Sequence, residues 1–334
     1  MERCQRLTLT EGSEAAPRSW PLSPLSAITP TPPHLNGEEF MAEMIGFIGV
    51  GTMGEPMCRN LARKSGATIL AADRNPEPLK RLAADGVKTA SLDEIVAQCR
   101  TIFLSLPGGK EVEEVCLGPG GLVSKVTLGY TIIDTSTAPV SLARRLYAEF
   151  EGKACAFADS PIARTRQAAI DGTLSIMVGG TKETFSRIEP LLRHLAREVT
   201  HCGEAGAGQA VKILNNMILF QTVVGLAEAL CIAKANGVDG KILFDTLTKG
   251  SADSFALRNH GMKAMLPGLF PERAFSTNYA LKDLSYAIQM AEEHGVPALG
   301  ADVARELMER AKELGFEHEY WPVLIKAIED GTKK

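Results

Sequence analysis

Short apolar runs alternate with amphipathic stretches through the middle of the chain. Residues 44–50 (MIGFIGV), 68–72 (TILAA), 101–106 (TIFLSL) and 130–134 (YTIID) are almost unbroken in hydrophobicity and too short for helices. Such runs predict strands buried on both faces. Helical spacing marks the intervening stretches, such as 55–64 and 76–84. Strands alternating with helices require right-handed crossovers, so the expected fold is an α/β, Rossmann-type doubly wound parallel sheet. Further strands are expected at 154–158, 174–178 and 198–201. After residue 206 the pattern turns helical: a breaker-free stretch at 211–236 precedes 241–248, 278–293, 301–314 and 321–328. Gly250, Pro267, Pro271, Gly295, Pro297 and Gly315 occupy the gaps. No internal repeat is visible. The expected organisation is a Rossmann domain over 41–205 and an all-helical C-terminal domain over 206–334, joined by the long helix. A ligand cleft is expected between them, outside the carboxyl ends of the strands.

Residues 1–40 follow neither pattern. Pro17, Pro21, Pro24, Pro30, Pro32 and Pro33 fall among Ser, Thr and Glu, a composition too poor in apolar side chains to offset its ordering entropy. This stretch reads as a disordered tail, or as sequence ahead of a later start at Met41. It has no apolar signal-peptide core, and Glu2, Glu11, Glu14, Glu38 and Glu39 break up the arginines that a mitochondrial presequence would show. No apolar run is read as reaching the roughly 20 residues that span a bilayer, so neither a membrane nor an export pathway is expected, and the location is expected to be cytoplasmic. A net charge of -4 gives no reason to expect nucleic acid as a partner. The seven cysteines are scattered without a C-x-x-C, and the six histidines form no H-x-x-x-H or H-E-x-x-H pair. Reduced thiols and no metal site are the expectation.

Chemistry enters at Gly49-Val-Gly51-Thr52-Met53-Gly54, a G-x-G-x-x-G directly between a predicted strand and a predicted helix. Gly49 allows the tight turn, Gly51 lets backbone approach a pyrophosphate, and Gly54 lets helix and strand pack closely. Asp73 follows at the expected distance of about 20 residues, where its carboxylate accepts hydrogen bonds from a ribose and repels a 2′-phosphate. NAD is therefore favoured over NADP, although Arg74 beside it could stack on adenine or pair with that phosphate. Leu106 and Pro107, at the end of the third strand, are expected against the adenosine side of the cofactor, a position that ordinary strand-end residues would equally occupy. Farther along, Lys212 and Asn216 project from one face of a largely apolar helix. A solvated helix edge would explain an isolated lysine; a lysine and an amide together in a cleft could protonate and orient a carbonyl oxygen.

Four motifs in order give the chain a resemblance to the β-hydroxyacid dehydrogenase family, which includes 3-hydroxyisobutyrate dehydrogenases and tartronate semialdehyde reductases. GFIGVGTMGEPM (46–57) resembles its cofactor signature, and DSPIARTRQAAIDGTLSIMVGG (159–180) its substrate signature. GAGQAVKILNN (206–216) resembles its catalytic signature, and FSTNYALKDL (275–284) its C-terminal F-x(6)-K-D-L element. The resemblance implies an NAD(P)-dependent oxidoreductase acting on a small anionic carbonyl or hydroxy acid. It implies Lys212 as general acid or base, Asn216 and Asn215 at the substrate, and Ser136 and Thr137 between substrate and nicotinamide. Lys282 and Asp283 would close the cleft over the cofactor, and a homodimer or homotetramer would form through the helical domain.

One departure stands out. Where the family reads D-x-P-V-S-G-G, this chain has Asp159-Ser-Pro-Ile-Ala163-Arg164-Thr165, similar to the G-R-T variant of sulfolactaldehyde reductases. Arg164 either grips a substrate carboxylate, sulfonate or phosphonate, or points outward and leaves the backbone at Ala163 and Thr165 to bind. The related 6-phosphogluconate dehydrogenases carry K-x-x-H-N where this chain has K-x-x-N-N, and imine reductases usually lack the lysine. A non-catalytic NAD(P)-binding regulator of the same fold would be free to lose Lys212 and Ser136; both are present.

Overall fold

The computed structural model describes residues 43–272 and 274–331. The expected tail lies outside them. The strands are β1 (Met44–Ile48), β2 (Thr68–Ala72), β3 (Lys88–Thr89), β4 (Thr101–Leu104), β5 (Thr131–Asp134), β6 (Ala156–Asp159), β7 (Ile162–Ala163), β8 (Leu174–Gly179) and β9 (Ala196–Gly203). They form one sheet in the order β3-β2-β1-β4-β5-β6-β8-β7, with β9 paired to β8. The first six are parallel, and β8 runs antiparallel to β6 and β7. The sheet is thus mostly parallel rather than wholly so. Alternate side chains serve opposite faces. Ile45 and Phe47 pack with Met57 and Leu61 on one side, while Ile102, Leu104 and Ile132 pack with Val112 and Leu146 on the other.

Strand order reverses between β1 and β4, and this switch point opens a crevice at the strands' carboxyl ends. The glycine turn ends β1 at Ile48, two residues before the apolar run stops. Past the sheet, the linking helix spans Ala207–Ala235. It starts four residues earlier than its hydrophobic pattern because the buried Asp159 caps it. Gly206 N–H donates to Asp159 Oδ1 and Gln209 N–H to Asp159 Oδ2, both at 2.7 Å. Gly206 has φ 89°, a turn that suits glycine.

The linking helix corrects the reading that no segment is apolar enough to span a bilayer: by length and composition it is, with a mean hydropathy of 1.7 and 44% of that stretch buried. Lys212 and Glu228 interrupt the run without outweighing its aliphatic residues. Its Phe220, Val223, Ala227 and Leu230 lie in the core of the helical half, with Leu284, Met308 and Trp321 from later helices. A π-helical stretch, Leu257–Met265, was not foreseen from the pattern.

Candidate active site

A single cleft of about 1420 Å³ runs from Asp73 and Ala90, over the glycine loop, to Lys212 and the aromatic side chains of the helical half. At its first end Gly49 adopts φ 91°, and a Cβ there would stand 2.3 Å from Ser105 O. A Cβ on Gly54 would lie 2.1 Å from Gly49 O, whereas one on Gly51 would meet no protein atom within 4 Å. Two glycines are therefore required by packing, and the third leaves open space above the start of the Gly54–Lys64 helix, with Thr52 and Met53 lining the cleft beside it. Asp73 accepts from Val50 N–H and Asn75 N–H, both at 2.7 Å, which fixes its carboxylate at the end of β2. Arg74 turns to Glu114 instead, with Nη2 2.7 Å from Oε1. These residues fit a dinucleotide: an open backbone cradle at a helix N-terminus, a carboxylate for the ribose, and the apolar Leu106 and Pro107 lining the groove.

At the other end the linking helix presents Lys212 and Asn216, one turn apart. Lys212 is 8% exposed, Asn216 3% and Asp283 4%. Lys212 Nζ donates to Asn216 Oδ1 at 2.9 Å, and Asn216 Nδ2 donates to Asp283 Oδ2 at 2.7 Å. Asn215 Nδ2 donates to Asn216 Oδ1 as well, at 3.2 Å. Burial pushes the Lys212 ammonium below the ordinary lysine value; Asp283 opposes this and the Lys282 charge adds to it. Asp283 Oδ1 forms an ion pair with Lys282 Nζ at 3.1 Å. Lys282 Nζ also donates to Pro107 O at 2.6 Å, and Tyr286, one turn farther, accepts from Gly109 N–H at 3.2 Å. The Thr277–Glu293 helix is thereby tied to the loop after β4. Tyr286 escaped the sequence reading, although its spacing from Lys282 puts both on one helix face.

Between these ends lies the loop after β5. Ser136 Oγ accepts from Leu106 N–H at 2.9 Å, and Ser136 N–H donates to Asp134 Oδ1 at 2.9 Å. Asp134 is fully enclosed, and burial pushes its carboxyl up to about 7. Thr137 lines the cleft beside Ser136. Ala163 and Thr165 line it from the segment after β6, and Thr165 caps the Arg166–Asp171 helix. Arg164 is exposed at φ 88°, the left-handed conformation that favours glycine, and its Nη1 donates to Thr173 O at 3.1 Å. The loop thus keeps a glycine-like backbone at this position while the guanidinium rests on its own hairpin at the mouth of the cleft. All the residues singled out in the sequence line this one cleft.

The comparisons with known proteins agree with this geometry. A family model described as the NAD binding domain of 6-phosphogluconate dehydrogenase matches residues 44–203, and one described as NAD-binding of NADP-dependent 3-hydroxyisobutyrate dehydrogenase matches 206–326. The 2-(hydroxymethyl)glutarate dehydrogenase of Eubacterium barkeri is 33% identical over 289 residues, 86% of this chain and 95% of that one. The 3-hydroxyisobutyrate dehydrogenase of Pseudomonas aeruginosa is 33% identical over 287 residues, 82% of this chain and 94% of its own length. A solved Mycobacterium tuberculosis 3-hydroxyisobutyrate dehydrogenase with L-serine superposes with a TM-score of 0.76 at 29% identity, covering 86% of this chain and 99% of that one. With so much of each relative's length accounted for, the chain belongs to the β-hydroxyacid dehydrogenase family of NAD(P)-dependent oxidoreductases.

Proposed function

We propose that this protein interconverts a small 3-hydroxy acid and its aldehyde acid, with Lys212 as the group that moves the proton. The observation that carries this reading is the buried Lys212–Asn216–Asp283 chain lining the cleft. A bound nicotinamide supplies hydride to the carbonyl carbon, or takes it back from the alcohol. Lys212 Nζ gives its proton to the carbonyl oxygen in reduction and recovers it from the hydroxyl in oxidation. Asn216 orients that oxygen, and Asp283 holds the Asn216 amide so that its own oxygen faces Lys212. Ser136 contacts the substrate beside the nicotinamide, and Asn215 adds an amide at the rim. The substrate anion lies at Ala163, Arg164 and Thr165.

Cofactor contacts are assigned to Gly49, Gly51, Thr52, Met53, Gly54, Asp73, Arg74, Leu106, Pro107, Thr137, Lys282 and Asp283. NAD is favoured over NADP in this reading: the Asp73 carboxylate, held at the end of β2, would accept from a ribose and repel a 2′-phosphate, and Arg74 is engaged by Glu114. The Rossmann domain would end near 205, with the helical domain beyond it. We propose a cytoplasmic homodimer or homotetramer, built through linking-helix side chains such as Ile218 and Ile232, which stand exposed.

The test is initial-rate reduction of tartronate semialdehyde, succinate semialdehyde, glyoxylate, methylmalonate semialdehyde and sulfolactaldehyde, each with NADH and NADPH. Turnover of one or two, faster with NADH, supports the reading. NAD(P)H binding without turnover of any would favour a non-catalytic regulator. Arg164→Gly is expected to raise KM severalfold for the most strongly anionic member while leaving kcat unchanged. An unchanged KM would mean that the guanidinium stays on Thr173 and only the loop backbone binds.

A further inference from the structure

The two halves of the proposed site, the Ser136 loop and the Lys212 helix, are joined by a side chain that touches neither the cleft nor solvent. Gln209 is 0% exposed. Its Nε2 donates to Ser136 O at 2.7 Å, and its Oε1 accepts from Ala138 N–H at 3.1 Å. Its own N–H is held by Asp159 Oδ2 at 2.7 Å, beside the Gly206 N–H on Oδ1. Asp159, at the end of β6, thus fixes the first turn of the linking helix, and Gln209 fixes the loop after β5 to that same turn. The helix has no freedom to slide here: a Cβ on Gly208 would lie 2.5 Å from Met177 O and 2.7 Å from Asp159 O. Lys212 follows Gln209 by three residues, one turn along the same face.

We infer that Gln209 is a positioning residue, an amide clamp that registers Ser136 against the Lys212 ammonium. This inference rests on the reading of Lys212 as the proton donor and acceptor. The clamp uses one side chain in two roles, giving a hydrogen to a carbonyl and taking one from an N–H. Leucine fills the space and does neither. A carboxylate still accepts from Ala138 N–H but sets an oxygen against Ser136 O. A protonated carboxyl does both, so glutamate is a conditional replacement. Full burial, with the Asp159 carboxyl against the same turn, holds the proton on a glutamate at 209 above the ordinary carboxyl range, and the Lys212 ammonium one turn away opposes this.

The experiment measures kcat, KM and the NADH dissociation constant for the full chain and for Gln209→Leu, Gln209→Glu and Lys212→Ala. It uses whichever aldehyde acid of the panel above the wild type reduces fastest, across the range in which the wild type is folded. Gln209→Leu is expected to lower kcat roughly 10- to 100-fold, the scale of a misplacement on the order of 1 Å. NADH affinity should stay within about threefold. Gln209→Glu is expected to regain activity relative to wild type as pH falls, while the ratio for Gln209→Leu stays flat. A merely structural role would lower melting temperature and NADH affinity together and give no acid-dependent recovery peculiar to glutamate. If the leucine variant does not fold, the glutamate ratio alone decides. A leucine variant within about threefold of wild-type kcat, or a glutamate ratio flat with pH, overturns the clamp. An active Lys212→Ala variant overturns the reading beneath it, and so does a wild type inactive on the whole panel.

Discussion

Replacing Lys212 by alanine is expected to lower kcat for aldehyde reduction roughly 10²–10⁴-fold, the usual worth of a positioned acid. NADH affinity should change little, because the nearest glycine-loop contacts are separate from this end of the cleft. The size of the effect follows from the surroundings of the side chain. Lys212 is buried, and Asn216 is its hydrogen-bond acceptor. Alanine offers no proton at this position, and Asn216 Oδ1 keeps only the longer bond from Asn215 Nδ2. Steady-state kinetics and fluorescence titration with NADH separate the two quantities. A variant that keeps most of its turnover would end the assignment of Lys212. Asp283→Asn should produce a smaller loss in the same direction, because it disturbs the Asn216 amide rather than the proton donor.

Gly54→Val is expected to weaken NADH binding at least about 100-fold, equivalent to roughly 2.7 kcal/mol. The added Cβ would fall 2.1 Å from Gly49 O, a backbone atom that gives way only if the helix leaves the strand. Gly51→Ala is the matched control. Its methyl meets no protein atom within 4 Å, so the melting temperature should be unchanged. NADH affinity should still fall, because the methyl stands where the pyrophosphate approaches. Wild-type affinity in Gly51→Ala would place the phosphates elsewhere, whereas a lowered melting temperature would show that the open space has been misjudged. Calorimetry and NADH titration read both.

The parts of this site that depend on local spacing were legible in the sequence. Gly49, Gly51, Gly54 and Asp73 follow a strand–turn–helix–strand rhythm, and Lys212 and Asn216 share a helix face by their separation of four. What could not be read were hydrogen bonds between distant segments. Gln209 meets Ser136 and Ala138 across some seventy residues, and Asp159 meets Gly206 across forty-seven. No periodicity announces such pairs, and nothing in the local sequence sets Gln209 apart from other polar residues near a helix start. The direction of Arg164 was likewise undetermined, because an arginine's reach lets it serve the cleft or its own hairpin. The expectation that no segment is long and apolar enough to span a bilayer failed for another reason: unbroken apolar runs are a poor guide to a helix in which single charges interrupt long aliphatic stretches.

The central claim, that Lys212 carries the proton in both directions, is tested most directly by pH profiles of kcat/KM for reduction and for oxidation of the corresponding hydroxy acid. Reduction needs the protonated ammonium, so its rate should fall as pH rises through the Lys212 pKa. Oxidation needs the neutral amine and should rise through the same value. Burial places that shared value below the ordinary lysine value of 10.5, and neither limb should survive in Lys212→Ala. Two profiles that move in the same direction, or a limb that persists in the alanine variant, would contradict the account.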